Sequence, residues 1–271
     1  MKSKLDGALC VEEEVIAGHV QTVTLRSYRP SSNGRQLPVI LYFHGGGFVR
    51  GTLEDGDAAA SHIARTTPAW VVSVGYSLSP AFPFPAALED GIRAARWAVA
   101  NARAMGANGR RIGICGHDAG GNLATCIAAM ARDRESIEFL AQALIAPLLD
   151  PSMTRIARSQ DLAGADFAAQ EYSRCYRAYL PYVSLLMHPY AAPIESLRLS
   201  GLPPALIASA ENDRLRVEAE KYGSELIAAG VPTEVTRYKS ASHDSLASHP
   251  GALTDIGMFF RKRLTTLVLK S

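Results

Sequence analysis

Residues 111–130 leave the chain few ways to fold. The β-rich run Arg111-Ile112-Gly113-Ile114-Cys115 meets the turn Gly116-His117-Asp118-Ala119-Gly120-Gly121, which runs straight into an alanine-rich helical stretch at 122–130. No linker separates strand from helix. Glycines on both sides of His117-Asp118-Ala119 allow a sharp turn that side-chain-bearing residues obstruct. Such a unit projects its central residue, Asp118, at the end of a strand.

The remaining patterns alternate between strand and helix. Alternating residues at 20–28 predict a half-buried strand, and the continuous apolar run Pro38-Val39-Ile40-Leu41-Tyr42-Phe43 predicts a central one buried on both faces. Further strands are expected at 70–75, 142–146, 205–210 and 233–238. Helices are expected at 57–65, at 86–105 (Leu88, Ile92, Ala95, Val99 and Ala102 at helical spacing), at 217–229 before Gly230, and from Pro250 onward. Pro30 to Gly34 reads as a turn. The prolines of Ser79-Pro80-Ala81-Phe82-Pro83-Phe84-Pro85 exclude a helix interior there, because each removes a backbone donor. Residues 1–18 carry no strong pattern, and 147–200 break the alternation. The fold class is therefore α/β: a mostly parallel central sheet with helices on both faces. One domain over 1–271 is expected, with a lid-like insertion at about 147–200.

Composition narrows the functional classes. Lys and Arg number 28 against 26 Asp and Glu, a net charge of +2, which gives no electrostatic footprint for nucleic acid. The basic run Arg261-Lys262-Arg263 reads as a solvated helix face. Cys10, Cys115, Cys126 and Cys175 lack zinc or redox spacing, so reduced, mostly buried thiols and a cytoplasmic protein are expected. No apolar run reaches the length of a membrane span, and the N-terminus shows no apolar signal core. Neither a metal nor a cofactor is expected; His117, Asp118 and His243 lack ligand spacing on one element. The partner implied is a small-molecule substrate, and oligomeric state leaves no mark to read.

Several motifs carry chemistry together. His44-Gly45-Gly46-Gly47-Phe48 ends the central strand, and its glycines let backbone N–H groups face a site without Cβ obstruction. Tyr76-Ser77-Leu78-Ser79-Pro80, Phe84-Pro85-Ala86-Ala87-Leu88-Glu89-Asp90, the turn at 116–121, Glu211-Asn212-Asp213-Arg214-Leu215 and Ser242-His243-Asp244 follow in order. Over roughly residues 20–265 this series resembles the hormone-sensitive-lipase-like branch of the α/β-hydrolase esterases. The resemblance implies an α/β-hydrolase fold in which residues 116–121 form the nucleophile elbow, whose central residue is normally serine. It places Asp118 at the nucleophile position, Asp213 as triad acid and His243 as base. The oxyanion hole then comes from the backbone N–H groups of Gly46, Gly47 and Ala119. Departures from the family pattern are His117-Asp118 in place of Asp-Ser, and Ser77, Ala81 and Arg214 in place of arginine, glutamate and proline.

Each residue also has a plainer reading. His243 in a polar loop is otherwise a surface histidine, and Asp213 is otherwise a cap for the helix that follows. His117 is expected to pack or hydrogen-bond behind the elbow rather than act as a second base. Tyr172, Tyr176 and Tyr179 recur at helical spacing, either as the apolar stripe of a lid helix or as phenol donors over the site.

An aspartate cannot simply stand in for serine. A carboxylate that attacks an ester makes a tetrahedral intermediate with two leaving groups, and the carboxylate (parent pKa about 4) leaves far more readily than an alkoxide. The expected activity is hydrolysis of a small carboxylic ester or lactone, with Asp118 as general base or impaired nucleophile. The alternatives are an epoxide hydrolase or dehalogenase that is alkylated at Asp118, a silent ligand-binding pseudoenzyme, and a serine esterase carrying an introduced Ser-to-Asp change. Two carboxylates flanking His243 favour imidazolium, and the Asp118 carboxylate is itself a ligand for the oxyanion hole.

Overall fold

The computed structural model describes residues 9–31, 36–134, 137–157 and 165–265. Most of the turn expected at 30–34 falls outside them, as do residues 1–8.

Eight strands form one sheet: β1 (Cys10–Ala17), β2 (Thr22–Arg29), β3 (Leu37–Phe43), β4 (Trp70–Gly75), β5 (Ala107–His117), β6 (Phe139–Ile145), β7 (Ala205–Asn212) and β8 (Thr233–Ser242). Their order is β1-β2-β4-β3-β5-β6-β7-β8. The pairings from β4 through β8 are parallel, and β1–β2 and β2–β4 are antiparallel. Every residue of β3 is buried, as its unbroken apolar run predicts. Apolar side chains fill one core on each face of the sheet. Leu41, Leu123 and Ile127 belong to one, and Ile40, Ile63 and Phe260 to the other.

The helices are α1 (Leu53–Thr66), α2 (Ala86–Asn101), α3 (Ala119–Arg134), α4 (Thr154–Ala157), α5 (Ala165–Tyr179), α6 (Arg216–Ala228), α7 (His243–Leu246) and α8 (Pro250–Thr265). Helix α1 starts four residues before the sequence expectation, because Thr52 and Asp55 make a capping box at its N-terminus. Helix α2 stops at Asn101 rather than at 105. Strand β1 lies in the stretch where no pattern was expected; it is an edge strand exposed along almost its whole length, so neither face imposes alternation. Between β6 and β7 lie α4, α5 and two 3-10 turns, Val183–Met187 and Pro193–Glu195. Asn122 ties this insertion to the elbow helix: its Nδ2 donates to the carbonyls of Leu148 (2.9 Å) and Ala191 (3.2 Å).

Candidate active site

The elbow is held by contacts that admit only glycine at two positions. A Cβ on Gly116 would lie 2.0 Å from the Gly120 carbonyl oxygen, and one on Gly120 would lie 2.1 Å from that of Phe43. Strand β5 and helix α3 therefore meet at van der Waals range beside β3. Asp118 sits between them with a φ of 54°, a left-handed conformation unusual for a non-glycine residue. Its backbone is fixed on both sides, since its N–H donates to Ile145 O (2.9 Å) and its carbonyl accepts from Leu148 N (3.1 Å).

The side chain of Asp118 is buried, and its oxygens have different environments. Oδ2 accepts hydrogen bonds from the backbone N–H groups of Gly46 and Gly47, both at 2.8 Å. Oδ1 has no hydrogen-bond partner and lies 3.8 Å from His243 Nε2. The two N–H groups expected to receive a substrate oxyanion thus hold a carboxylate of the protein. Ala119, the third expected donor, is the first residue of α3, where a helix leaves N–H groups without intrahelical partners.

Asp213 and His243 face Asp118 from the ends of β7 and β8. His243 is not in a loop: it opens α7, where Ser242 caps the first turn by accepting from Ser245 N. Its Nδ1 pairs with Asp213 Oδ2 at 2.9 Å. Asp213 Oδ1 accepts from Leu215 N (3.0 Å), so one carboxylate both shapes the turn before α6 and orients the imidazole.

Charge in this cluster is set by competition between burial and partners. Burial works against the imidazolium of His243. The hydrogen bond and charge of Asp213, with the charge of Asp118, more than offset it and raise its pKa to about 9. Burial likewise disfavours ionised Asp118, but His243, His117 and the N–H groups of Gly46 and Gly47 win and hold its pKa below the usual value. The two shifts favour a carboxylate on Asp118 and an imidazolium on His243, 3.8 Å apart. His117 behaves differently: burial and neighbouring His243 depress its pKa to about 4, so it is neutral. Its ring lies 4.8 Å from that of His243 and against Gly45, and it lines the cavity over Asp118 rather than sitting behind the elbow as expected.

The three tyrosines of α5 divide. Tyr172 lines the cavity above Asp118, its ring 6.2 Å from that of His243. Tyr176 and Tyr179 are buried in the core, as the apolar-stripe reading has them, and are not donors over the site. Tyr176 donates to the Leu148 carbonyl (3.1 Å), and the Tyr179 ring stacks on Phe48 at 4.0 Å. Their helical spacing marks the buried stripe of α5.

The cavity has a volume of about 520 Å³, and Arg50, Asp55, Glu171, Cys175 and Asp244 also line it. None of these five was expected to line the site, although Cys175 was named among the thiols and Asp244 in the histidine motif. Arg50, two residues past the glycine loop, had a positional signal; the others are brought in by the packing of α1, α5 and α7. Glu218 was also missed. This fully buried carboxyl accepts from Leu149 N (2.8 Å) and Asp150 N (2.9 Å), and fixes the loop after β6. Burial pushes its pKa well above the ordinary carboxyl value.

The family pattern described as "alpha/beta hydrolase fold" matches residues 40–247. The chain belongs to the α/β-hydrolase fold family. Esterase LipI of Mycobacterium tuberculosis is 39% identical over 242 residues, covering 87% of this chain and 74% of that protein. An ethyl acetate hydrolase of Pseudomonas putida is 33% identical over 230 residues, covering 84% and 72%. Among solved structures, a hyperthermophilic esterase from the archaeon Pyrobaculum calidifontis superposes with a TM-score of 0.87 at 35% identity, over 95% of this chain and 87% of that one. Within this family the chain is a carboxylesterase-like hydrolase. The elbow of this family member carries a carboxylate.

Proposed function

We propose that the chain hydrolyses small carboxylic esters or lactones by His243-activated water, and that Asp118 is an impaired nucleophile that restrains the site. The observation that carries this reading is the pair of 2.8 Å hydrogen bonds from Gly46 and Gly47 to Asp118 Oδ2. Turnover requires the Asp118 carboxylate to rotate off these donors so that the ester carbonyl oxygen takes its place. Water then attacks the carbonyl carbon and gives its proton to His243 Nε2. Collapse of the tetrahedral intermediate breaks the ester C–O bond, and the departing alkoxide takes that proton. Asp213 keeps the imidazole oriented throughout and stabilises its protonated form.

Asp118 slows this sequence in two ways. It occupies the donors that the transition state needs, and its charge helps to keep His243 protonated when a neutral base is required. The test is hydrolysis of short-chain p-nitrophenyl esters by the wild type and by Asp118→Ser. Slow turnover by the first and fast turnover by the second are expected; background rates from both would remove the ester assignment.

One observation favours a second reading. With Oδ2 anchored, Asp118 keeps an unpartnered Oδ1 3.8 Å from His243 Nε2, the oxygen that would serve as a nucleophile on sp3 carbon. In that chemistry Oδ1 bonds to carbon while an epoxide C–O or carbon–halogen bond breaks, Tyr172 supplying a proton to an epoxide oxygen. Water activated by His243 then cleaves the Asp118 ester, whose carbonyl oxygen lies on Gly46 and Gly47. Turnover of epoxides in 18O-water places label in the Asp118 carboxylate, readable by mass spectrometry of the elbow peptide. Turnover without label excludes this route.

A further inference from the structure

A second cavity, of about 620 Å³, lies beside the one over Asp118 and has no part in the reaction described above. The glycine loop is the partition. Gly45, Gly46 and Gly47 line the first cavity, His44 lines the second, and Gly51 lines both. Only glycine fits at position 51, where φ is 106° and a Cβ would lie 2.4 Å from the Gly45 carbonyl oxygen. The two cavities differ in charge. Arg50, Asp55 and Glu171 line the first, whereas no Asp, Glu, Lys or Arg is among the described residues that line the second. Two departures from the family pattern meet here. Ala81, where the pattern has glutamate, lines the second cavity. Ser77, where it has arginine, accepts a hydrogen bond from the lining residue Gln21 (Nε2, 3.0 Å). Both are far smaller than the side chains of the pattern, which leaves room.

An apolar hollow alone would name no ligand. His44 makes this one specific. The residue is only 1% exposed, and burial lowers its pKa, so the ring is neutral. Its Nδ1 lies 2.7 Å from the Gly45 carbonyl oxygen, which can only accept, so Nδ1 carries the ring proton and Nε2 keeps a lone pair. Nothing among the described residues bonds to Nε2. Yet Nε2 is not one of the sealed, unpartnered side-chain atoms, as His117 Nε2 is. The small exposed part of His44 therefore includes Nε2, and it opens on the second cavity. The ring cannot easily turn away. It stacks on Tyr76 with centroids 4.3 Å apart, and the Tyr76 hydroxyl donates to the His44 carbonyl at 3.0 Å. A held acceptor of this kind discriminates, because a ligand without a donor leaves it unpaired.

We propose that the second cavity is a subsite for an uncharged apolar group bearing a hydroxyl, a phenol or alcohol, whose O–H donates to His44 Nε2 while its hydrocarbon packs on Leu78, Pro80 and Phe82. Resting on the ester-hydrolysis reading, the substrate class becomes an ester or lactone with such an arm, its carbonyl over Gly46 and Gly47 and its arm crossing at Gly51. A charged arm would lose hydration there without a lining partner of opposite charge.

The test separates binding from turnover. Phenol and toluene, which differ by O–H against CH3, are titrated into protein carrying 15N-labelled histidine. Phenol is expected to bind about tenfold tighter, the gain from one hydrogen bond to a buried acceptor. It should also move the His44 Nε2 resonance, assigned by its loss in His44→Gln, by an amount that toluene does not reproduce. Ala81→Leu fills the cavity away from the catalytic groups. It should weaken phenol binding by about tenfold while turnover of p-nitrophenyl acetate stays unchanged. Equal binding of phenol and toluene, a still His44 resonance, or phenol binding untouched by Ala81→Leu overturns the proposal. A parallel assay compares 2-(4-hydroxyphenyl)ethyl acetate with 2-(4-methylphenyl)ethyl acetate. A higher kcat/KM for the first, lost in Ala81→Leu, supports the arm. Equal kcat/KM for the two overturns it and leaves ester hydrolysis standing. Phenol bound at His44 with no ester cleaved supports the subsite and removes ester hydrolysis.

Discussion

The two walls of the cavity are built to different standards. On one, Asp213 and His243 meet at 2.9 Å at the ends of β7 and β8, with the imidazole pointing its Nε2 at the elbow. In the proposed reaction this pair is the base. On the other, the glycine loop presents its N–H groups correctly, yet they are taken by Asp118 Oδ2. The walls share one residue's charge: Asp118 closes the oxyanion hole and helps raise the pKa of the base opposite. A carboxylate in one cluster thus reaches the histidine of the other through its charge.

The comparison breaks most sharply if the intact wall is removed. In the Asp118→Ser background, His243→Ala is expected to cut kcat/KM for p-nitrophenyl acetate by about 10,000-fold, the upper range for a general base that also activates a nucleophile. A loss below tenfold would mean that the dyad is not the working base. Next comes the altered wall: Asp118→Ser alone should raise kcat/KM by about 100- to 1,000-fold, because it frees oxyanion donors and supplies a competent nucleophile.

A pH profile sharpens the electrostatic link. Only neutral His243 accepts a proton, so wild-type activity should be low at neutral pH and rise as pH climbs through about 9. Asp118→Asn removes the negative charge facing Nε2 and should move this limb to lower pH. An unshifted limb would show that Asp118 does not act on His243. The smallest effects lie in the core beneath the lid. Tyr176→Phe loses the hydrogen bond to Leu148 and should cost about 1 kcal/mol in denaturant unfolding. Tyr179→Phe removes a buried hydroxyl with no partner and should be neutral or stabilising by up to about 1 kcal/mol.

The parts of the fold legible in the sequence were those that physics constrains on every side. Strand β3 is buried on both faces, so its apolar run admits one interpretation, and the elbow's glycines answer to contacts near 2 Å. Strand β1 was illegible because an exposed edge strand needs no pattern. At the site, Asp118, Asp213, His243 and the glycine loop were found through motif order, since each sits at the end of a strand that the sheet holds in place. Even the carboxylate in the oxyanion hole follows from chemistry, because anionic oxygens and unpaired N–H groups placed side by side will bond. Glu171, Cys175 and Asp244 were not found, because which way α5 and α7 turn toward the cavity depends on tertiary packing. Tyr176 and Tyr179 shared a helical spacing with Tyr172, and spacing alone does not say which phenols reach the site.

If Asp118 restrains ester hydrolysis rather than performing it, Asp118→Gly will speed the reaction. Glycine suits the positive φ at this position, so the elbow is kept while the carboxylate is removed. The decisive measurement is kcat/KM for p-nitrophenyl acetate at neutral pH. A rate above wild type, carried by His243-activated water over an emptied oxyanion hole, is the predicted result. A rate below wild type would make Asp118 a participant in catalysis.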